Sequence, residues 1–185
     1  MSLFRVTENR FRLVREARWP VIALDRINDV EDDVLTKTLL ACCDVPAWAE
    51  AVRAGRPYTD LDRLMATADA AARRFTAAEV DRALAAHPRI GERAQGAGTA
   101  SAWSRQEQST VSRDEQTQRE LLEANRAYEE RFGRVFLICA TGLTGEQILA
   151  ALRQRLGNDD AIEAAVVAEE LRKIALLRLR KVVEA

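Results

Sequence analysis

Apolar side chains recur along most of this chain at intervals of three and four residues, which is the repeat of one face of an α-helix. The first such stripe, within residues 26–43, consists of Ile27, Val30, Val34, Leu35 and Leu39. Glycine and proline, which interrupt helices, number only 8 and 4 among the 185 residues. The sequence therefore predicts an all-α fold, a single-domain helical bundle of about seven to nine helices.

Two threonines mark predicted helix starts. Thr76 with Glu79, and Thr144 with Gln147, have the spacing of a capping box. In this motif the side chain of each residue accepts a hydrogen bond from the backbone N–H group of the other. The residue before a proline avoids helical geometry. We therefore expect the helix that follows Thr76 to end at or just before His87, which precedes a proline.

Residues 134–142, RVFLICATG, form an apolar stretch after a helix that is predicted to stop at Gly133. The stretch contains β-branched residues and is too short for a typical helix, so we expect an extended segment. One interpretation is a core segment in which Cys139 packs as a small hydrophobic residue. The other is that its backbone groups bind a ligand, because a non-helical backbone inside a core must satisfy its N–H and C=O groups somewhere.

The length of the chain fits one domain with its own hydrophobic core. We expect residues 1–23 to be an N-terminal lead-in and residues 24–185 to form the helical domain. The lead-in mixes acidic residues among its arginines and lacks the apolar run of a signal peptide. No stretch is apolar over the length needed to cross a bilayer, so the sequence predicts no membrane association.

The charge balance and the cysteines argue against a nucleic-acid-binding protein, a disulfide-bonded protein and a metal site. Lys and Arg total 28 and Asp and Glu total 29, and a net charge of -1 argues against binding to nucleic acid. Cys42 and Cys43 are adjacent and Cys139 is alone, an odd count that fits reduced thiols and a cytoplasmic location. With one histidine and no C-x-x-C pair, the usual ligand set for a metal site is missing.

The chain's single histidine, His87, lies at the predicted end of a helix. One interpretation is that it caps the last helical carbonyl groups and complements the helix dipole. The other is acid/base catalysis, since histidine side chains titrate near neutral pH and a helix end can direct the ring into a cleft. These residues alone leave both interpretations open.

The segment SRQEQ places Ser104, Glu107 and Gln108 at spacings of three and four residues, hence on one face of a helix. Such a face combines a hydroxyl, a carboxylate and an amide, which suits a small hydrogen-bonding molecule. A plain solvated helix face is the alternative. Arg178 lies on a largely apolar helix, either as a surface arginine that extends toward water or as a cation near an anionic substrate.

Four motifs occur in a characteristic order: HPRIGER, SRQEQ, LLEANRAYEERFGRVFLICATG and IALLRL. With them, residues 24–182 resemble the OHCU decarboxylase family, enzymes of urate degradation that decarboxylate 2-oxo-4-hydroxy-4-carboxy-5-ureidoimidazoline (OHCU) to (S)-allantoin. The resemblance implies an all-helical enzyme that needs no cofactor and forms a homodimer. The chain departs from a common family pattern after the His-Pro pair, where Arg89 and Ile90 replace Asp and Leu.

The resemblance also implies the roles of individual residues. The catalytic histidine of the family corresponds to His87, which would act as general acid/base, and we expect Glu107 to orient it. The small ureidoimidazoline substrate is expected to contact Pro88, Ser104, Arg105, Gln106, Gln108, Leu137, Ile138, Cys139, Ala140, Thr141 and Arg178. No metal is implied.

Two other functions stay open at this point. A helical module that only dimerises or docks a partner would have no polar pocket around His87. A serine hydrolase would pair His87 with Ser104 or Ser109, but the G-x-S-x-G turn that many such enzymes use is absent from the sequence.

Overall fold

The computed structural model describes residues 24–85, 87, 89–90 and 115–184. The predicted lead-in therefore lies outside the described residues. So do several predicted site residues, namely Pro88, Ser104, Arg105, Gln106, Glu107 and Gln108.

The described residues contain a short 3-10 turn and seven α-helices, and none of them is in a strand. After the turn, Leu24–Arg26, the helices are α1 (Asp32–Cys42), α2 (Pro46–Ala54), α3 (Leu61–Ala72), α4 (Ala77–Ala85), α5 (Glu115–Phe132), α6 (Gly145–Arg155) and α7 (Asp160–Glu184). The predicted all-α fold is confirmed. Among these helices none is both long and apolar enough to cross a membrane.

The C-terminal helix α7 is the central element of the bundle, because α1, α3 and α4 all pack against it. Its buried apolar face carries Val167, Leu171, Ile174, Ala175 and Leu179. Together with buried side chains from α1 to α4, this face forms the main hydrophobic core. Burial of such apolar surface is the dominant favourable term in folding, so α7 stabilises the bundle along most of its length.

Helices α5 and α6 pack against each other and form a second, smaller hydrophobic core. Tyr128 of α5 is fully buried there, and its ring centroid lies 4.7 Å from that of Phe132 and 5.2 Å from that of Phe136. Tilted and edge-on aromatic pairs at these distances add to the stability gained from buried area. The second core therefore joins α5 to the chain that follows it.

Residues 135–140 run between the two cores without helix, bend or turn. Side chains that contact the main core alternate with side chains that contact the second core. The first group is Val135, Leu137 and Cys139, and the second is Phe136, Ile138 and Ala140. Successive side chains of an extended chain point to opposite faces, and those of residues 135–140 do so, which confirms the predicted extended segment. Glycines with positive φ, Gly133 (64°) and Gly142 (82°), flank it.

The first helix begins later than its apolar stripe predicted. α1 starts at Asp32, so Ile27 and Val30 lie in the turns before it, where Ile27 is nevertheless fully buried. Val34 was expected in the buried stripe but is 47% exposed. The buried residues of α1 are Leu35, Thr38, Leu39 and Cys42. The prediction of one continuous helical stripe was wrong because apolar residues in a turn happened to match the helical spacing.

Both predicted capping boxes form. The N–H of Thr76 donates to Oε2 of Glu79 at 2.8 Å, and the N–H of Glu79 donates to Oγ1 of Thr76 at 3.3 Å. At the start of α6 the N–H of Thr144 donates to Oε1 of Gln147 at 2.8 Å, with a return bond of 3.2 Å. These bonds satisfy N–H groups that the first turn of each helix would otherwise leave without partners.

Candidate active site

His87 lies just beyond α4, which ends at Ala85 as the following proline predicted. Its backbone N–H donates to the carbonyl oxygen of Leu84 at 2.9 Å, and ring atom Nδ1 lies 2.9 Å from the carbonyl oxygen of Ala83. Both contacts use carbonyl groups of the last helical turn. The capping interpretation of His87 is thus confirmed, and the contacts fix the ring at the end of the helix.

The contact with Ala83 also determines which ring nitrogen of His87 can act as a base. A carbonyl oxygen accepts hydrogen bonds but never donates them, so Nδ1 carries the hydrogen in this contact. In the neutral ring the lone pair then lies on Nε2, which is buried. The capping and acid/base roles therefore use different nitrogens and are compatible.

The two residues at positions 89 and 90 are bound to α5. Nε and Nη2 of Arg89 donate to the two carboxylate oxygens of Glu129 at 2.5 and 2.8 Å, and this pairing holds the pKa of Glu129 below its usual range. Nδ2 of Asn125 donates to the carbonyl oxygen of Ile90 at 3.0 Å. His87 is thus fixed by α4 on one side and, through the next residues, by α5 on the other.

Arg178 is not the surface arginine that one interpretation expected, because only 2% of it is exposed. Its Nη1 donates to the carbonyl oxygen of Cys42 at the end of α1, at 3.3 Å. Burial raises the pKa of the Cys43 thiol to about 12, although the positive charge of Arg178 opposes that shift. A guanidinium group is therefore held inside the bundle, where a cation attracts an anion more strongly than in water.

Charged side chains from α6 and α7 bind one edge of the extended segment. Nη1 of Arg155 donates to the carbonyl oxygen of Leu137 at 2.8 Å, and the N–H of Cys139 donates to Oε2 of Glu170 at 2.8 Å. Backbone groups of residues two apart face the same edge of an extended chain, so the two contacts share an edge. Neither the N–H nor the C=O of Ile138 has a hydrogen-bond partner among the described residues.

Arg155 belongs to a buried polar group, here called the Glu163 cluster and formed by Tyr128, Arg155, Asn158 and Glu163. Glu163 is 1% exposed and accepts hydrogen bonds from Nε and Nη2 of Arg155 at 2.9 and 2.5 Å, from Nδ2 of Asn158 at 2.8 Å and from the hydroxyl of Tyr128. Burial raises the pKa of Glu163, but these hydrogen bonds outweigh burial and lower it. The carboxylate therefore stays ionised beside Arg155.

The lowered pKa of Glu163 predicts how stability depends on pH. The unfolded chain binds a proton at Glu163 around its ordinary value of 4.5, whereas the folded chain resists that proton, so stability falls as the pH drops below this value. We expect the free energy of unfolding in urea to decrease from about pH 6 to about pH 3. The decrease should be shallower in Glu163→Gln, which has no carboxyl group at this position, and equal slopes would contradict the prediction.

Three segments that carry described site residues border the main hydrophobic core, although Ile138 and Ala140 contact the second core. Leu84 lies three residues before His87, Leu179 is next to Arg178, and Leu137 belongs to the extended segment; all three side chains are part of the main core. A cleft of about 310 Å³ lies between the last turns of α4 and the start of the extended segment, lined by Asp81, Leu84, Ala85, Phe132, Gly133, Arg134 and Val135. Three distant parts of the sequence thus contribute to the same core, but none of the described site residues is among the residues that line this cleft.

Sequence reasoning missed Arg155, Glu163 and Glu170. Each binds a group that lies at least eight residues away along the chain, and no short motif announces such a pair. One usable signal was present in the motif N-x-x-Y, where Asn125 and Tyr128 fall on the buried face of α5. Buried polar residues need partners, so this pair pointed to a polar network inside the second core.

The fold and these groups define a class of protein, an all-α bundle that holds a histidine just beyond the end of one helix and a buried arginine on another. The chain belongs to the OHCU decarboxylase family, because the model of that family matches residues 28–180. The family resemblance drawn from the four motifs is therefore confirmed.

Individual relatives agree with this assignment. The chain is 33% identical over 142 residues to the 2-oxo-4-hydroxy-4-carboxy-5-ureidoimidazoline decarboxylase of Amia calva. The matched region covers 75% of this chain and 81% of that protein. The chain is 27% identical to the enzyme of the same name from Haloferax volcanii, with 85% and 94% covered. A crystal structure of an OHCU decarboxylase in the presence of (S)-allantoin matches with a TM-score of 0.69 and 28% identity, covering 84% of this chain and all of that one.

Proposed function

We propose that this chain decarboxylates OHCU to (S)-allantoin, with His87 as general acid/base. The observation that carries the proposal is the contact between Nδ1 of His87 and the carbonyl group of Ala83, since it leaves the lone pair of the neutral ring on Nε2. Membership of the OHCU decarboxylase family supplies the substrate class. A histidine with a defined basic nitrogen at a helix end is suited to move protons on a bound molecule.

The chemistry of the substrate explains why proton transfer is the protein's main task. Carbon 4 carries the carboxylate and a hydroxyl group and adjoins a ring C=N. When the bond to CO2 breaks, its electron pair forms a double bond between carbons 4 and 5, and the ring nitrogen gains a proton. The hydroxyl group then loses its proton and becomes a carbonyl group, while carbon 5 gains a proton. The substrate is its own electron sink, so this reaction requires no cofactor.

The protein's contribution is to place the proton donor and acceptor. Nε2 of His87 would take the hydroxyl proton, and protonation of carbon 5 from one face would give one enantiomer of allantoin. Arg178 would offset the negative charge of the carboxylate, which its burial inside the bundle supports. The backbone groups of Ile138, which have no partner within the described part of the chain, would hydrogen-bond the ring or the ureido group and fix its position.

The other predicted site residues are part of the same proposal. Glu107 would orient His87, and the substrate would contact Pro88, Ser104, Arg105, Gln106, Gln108, Leu137, Cys139, Ala140 and Thr141. The carbonyl of Leu137 and the N–H of Cys139 already have protein partners. These two backbone groups are therefore not assigned to the substrate, and Leu137 and Cys139 would contact it through their side chains.

A stereochemical assay tests the function directly. Freshly generated OHCU decays spontaneously to racemic allantoin, whereas an enzyme that protonates one face produces a growing circular-dichroism signal of (S)-allantoin. We expect the purified chain to produce this signal faster than the spontaneous background. A racemic product formed at the background rate would contradict the proposal.

Glu107→Gln is expected to be nearly inactive while the protein stays folded, because an amide in place of the carboxylate cannot stabilise a protonated His87 ring. General acid/base catalysis is worth about 100- to 10,000-fold, so most of this factor should be lost. The measurement is the initial rate of (S)-allantoin formation, with far-ultraviolet circular dichroism to verify folding. A folded Glu107→Gln variant with the wild-type rate would remove Glu107 from the site.

We also propose that the chain forms a homodimer and acts in the cytoplasm. The family resemblance supports the dimer, and light scattering after size exclusion would test it by giving the mass in solution.

Reduced thiols support the cytoplasmic location, since Cys42, Cys43 and Cys139, which all fall within the described residues, form no disulfide. We further propose that residues 24–185 act as one domain.

A further inference from the structure

We propose that Glu170 is a positioning residue, which holds the N–H group of Cys139 so that the extended segment keeps a fixed place beside the substrate. The proposal rests on the proposed function, because it takes the segment as part of the substrate site. It assigns a role to a residue of α7 that the sequence motifs did not indicate.

Each of the two carboxylate oxygens of Glu170 accepts a hydrogen bond from a different group. Oε2 accepts the hydrogen bond from the N–H of Cys139 at 2.8 Å, and Oε1 accepts one from Nζ of Lys173 at 2.7 Å. Only 13% of the Glu170 side chain is exposed, whereas 47% of Lys173 is exposed. A hydrogen bond to an ionised carboxylate is about twice as strong as one between neutral groups. Lys173 lies toward solvent, where water screens its ion pair, so the contact with Cys139 is the one that restrains the protein interior.

The hydrogen bond from Cys139 to Glu170 restrains the segment in a direction that side-chain packing does not. Side chains of the segment enter the two hydrophobic cores alternately, so packing restrains the segment toward and away from each core. Backbone groups of an extended chain point at right angles to its side chains. The contact with Glu170 therefore restrains the segment sideways, in the direction in which its backbone meets a ligand.

A second contact on the same edge supports this reading. Arg155 binds the carbonyl group of Leu137, two residues before Cys139, and is itself fixed by Glu163. Two charged groups from two helices thus hold one edge of the segment. On the opposite edge, the backbone groups of Ile138 have no hydrogen-bond partner among the residues that the structure describes, and we assign that edge to the substrate.

Four variants separate positioning from general stability. Glu170→Met removes the acceptor but keeps the length of the side chain, and Glu170→Gln keeps an acceptor oxygen. Glu169→Met is the matched control, because Glu169 is the preceding residue of α7 and binds Arg172 rather than the segment. Lys173→Met removes the partner of the other carboxylate oxygen. All four are compared with wild type in steady-state assays of OHCU decarboxylation.

We expect Glu170→Met to lower kcat/KM by about 10- to 100-fold, mainly through a higher KM, because the misplaced segment no longer meets the substrate. Glu170→Gln should recover most of the loss, and both control variants should stay near wild type. The pH profile of kcat should keep its wild-type shape in Glu170→Met, since His87 is untouched. A variant that was merely less stable would show a lower folded fraction with an unchanged KM.

Hydrogen exchange at the Cys139 amide provides a readout that needs no substrate. We expect faster exchange in ligand-free Glu170→Met than in Glu169→Met, measured by NMR. Equal KM and kcat in these two variants, or unchanged exchange at Cys139, would overturn the proposal. If wild type did not turn over OHCU, the proposed function would fail, and exchange at Cys139 would decide alone whether Glu170 holds the segment.

Discussion

Glu163→Gln is expected to lower the free energy of unfolding by about 3–5 kcal/mol, the typical cost of removing one partner of a buried ion pair. Glutamine has nearly the same shape as glutamate, so the loss cannot come from a cavity. It comes from Arg155, which is 7% exposed and would keep its positive charge inside the protein without a counter-charge. The hydroxyl of Tyr128 and the amide of Asn158 would also lose a charged acceptor.

The matched control for this prediction is Glu169→Gln on the same helix. Glu169 also pairs with an arginine, Arg172, but 43% of its side chain is exposed. Exposed pairs contribute about 0–1 kcal/mol, so Glu169→Gln should unfold close to wild type. Urea unfolding followed by far-ultraviolet circular dichroism measures both variants. A difference between them of less than about 1 kcal/mol would show that the Glu163 cluster does not depend on its charge.

The helices were predictable because their causes are local. Thr76 and Thr144 carry their capping partners three residues away, and the proline after His87 ends α4 within two residues. The apolar repeat of α7 identifies its buried face in the same way. The error at the start of α1 has a local cause as well, since Ile27 has the right spacing but is buried from a turn.

The charged contacts of the site were not predictable because they depend on how helices pack. Glu170 lies 31 residues after Cys139, and Arg155 lies 18 residues after Leu137. A carboxylate on an amphipathic helix has the same sequence signature as one on a solvated face. Only the packing of α7 against the extended segment distinguishes Glu170 from its exposed neighbour Glu169.

For Arg178 the sequence left two interpretations, and burial decided between them. The residues around it are apolar, which is compatible with an arginine that reaches water and with one that is enclosed. The structure encloses it, with the carbonyl of Cys42 as one partner. A buried guanidinium is costly unless hydrogen bonds or opposite charges compensate it, so its burial distinguishes Arg178 from a surface arginine that reaches water.

His87→Asn is expected to lower kcat by about 100- to 10,000-fold while the protein stays folded. The amide nitrogen of asparagine superposes on Nδ1 of histidine, so it can still donate to the carbonyl oxygen of Ala83 and cap α4. The variant has nothing at the position of Nε2. It therefore removes the proposed base and keeps the structural contact.

His87→Ala is the companion variant, because it removes both nitrogens. If His87 serves only as a helix cap, His87→Ala should lose about 1 kcal/mol of stability, the net worth of one hydrogen bond, His87→Asn should behave as wild type, and neither should change the rate per folded molecule. If Nε2 moves the protons, both variants should lose activity equally, although only His87→Ala loses the cap. Rates of (S)-allantoin formation and urea unfolding curves for the two proteins decide between these outcomes. Wild-type activity in His87→Asn would leave the imidazole with its capping role alone, and a group other than His87 would then have to move the protons.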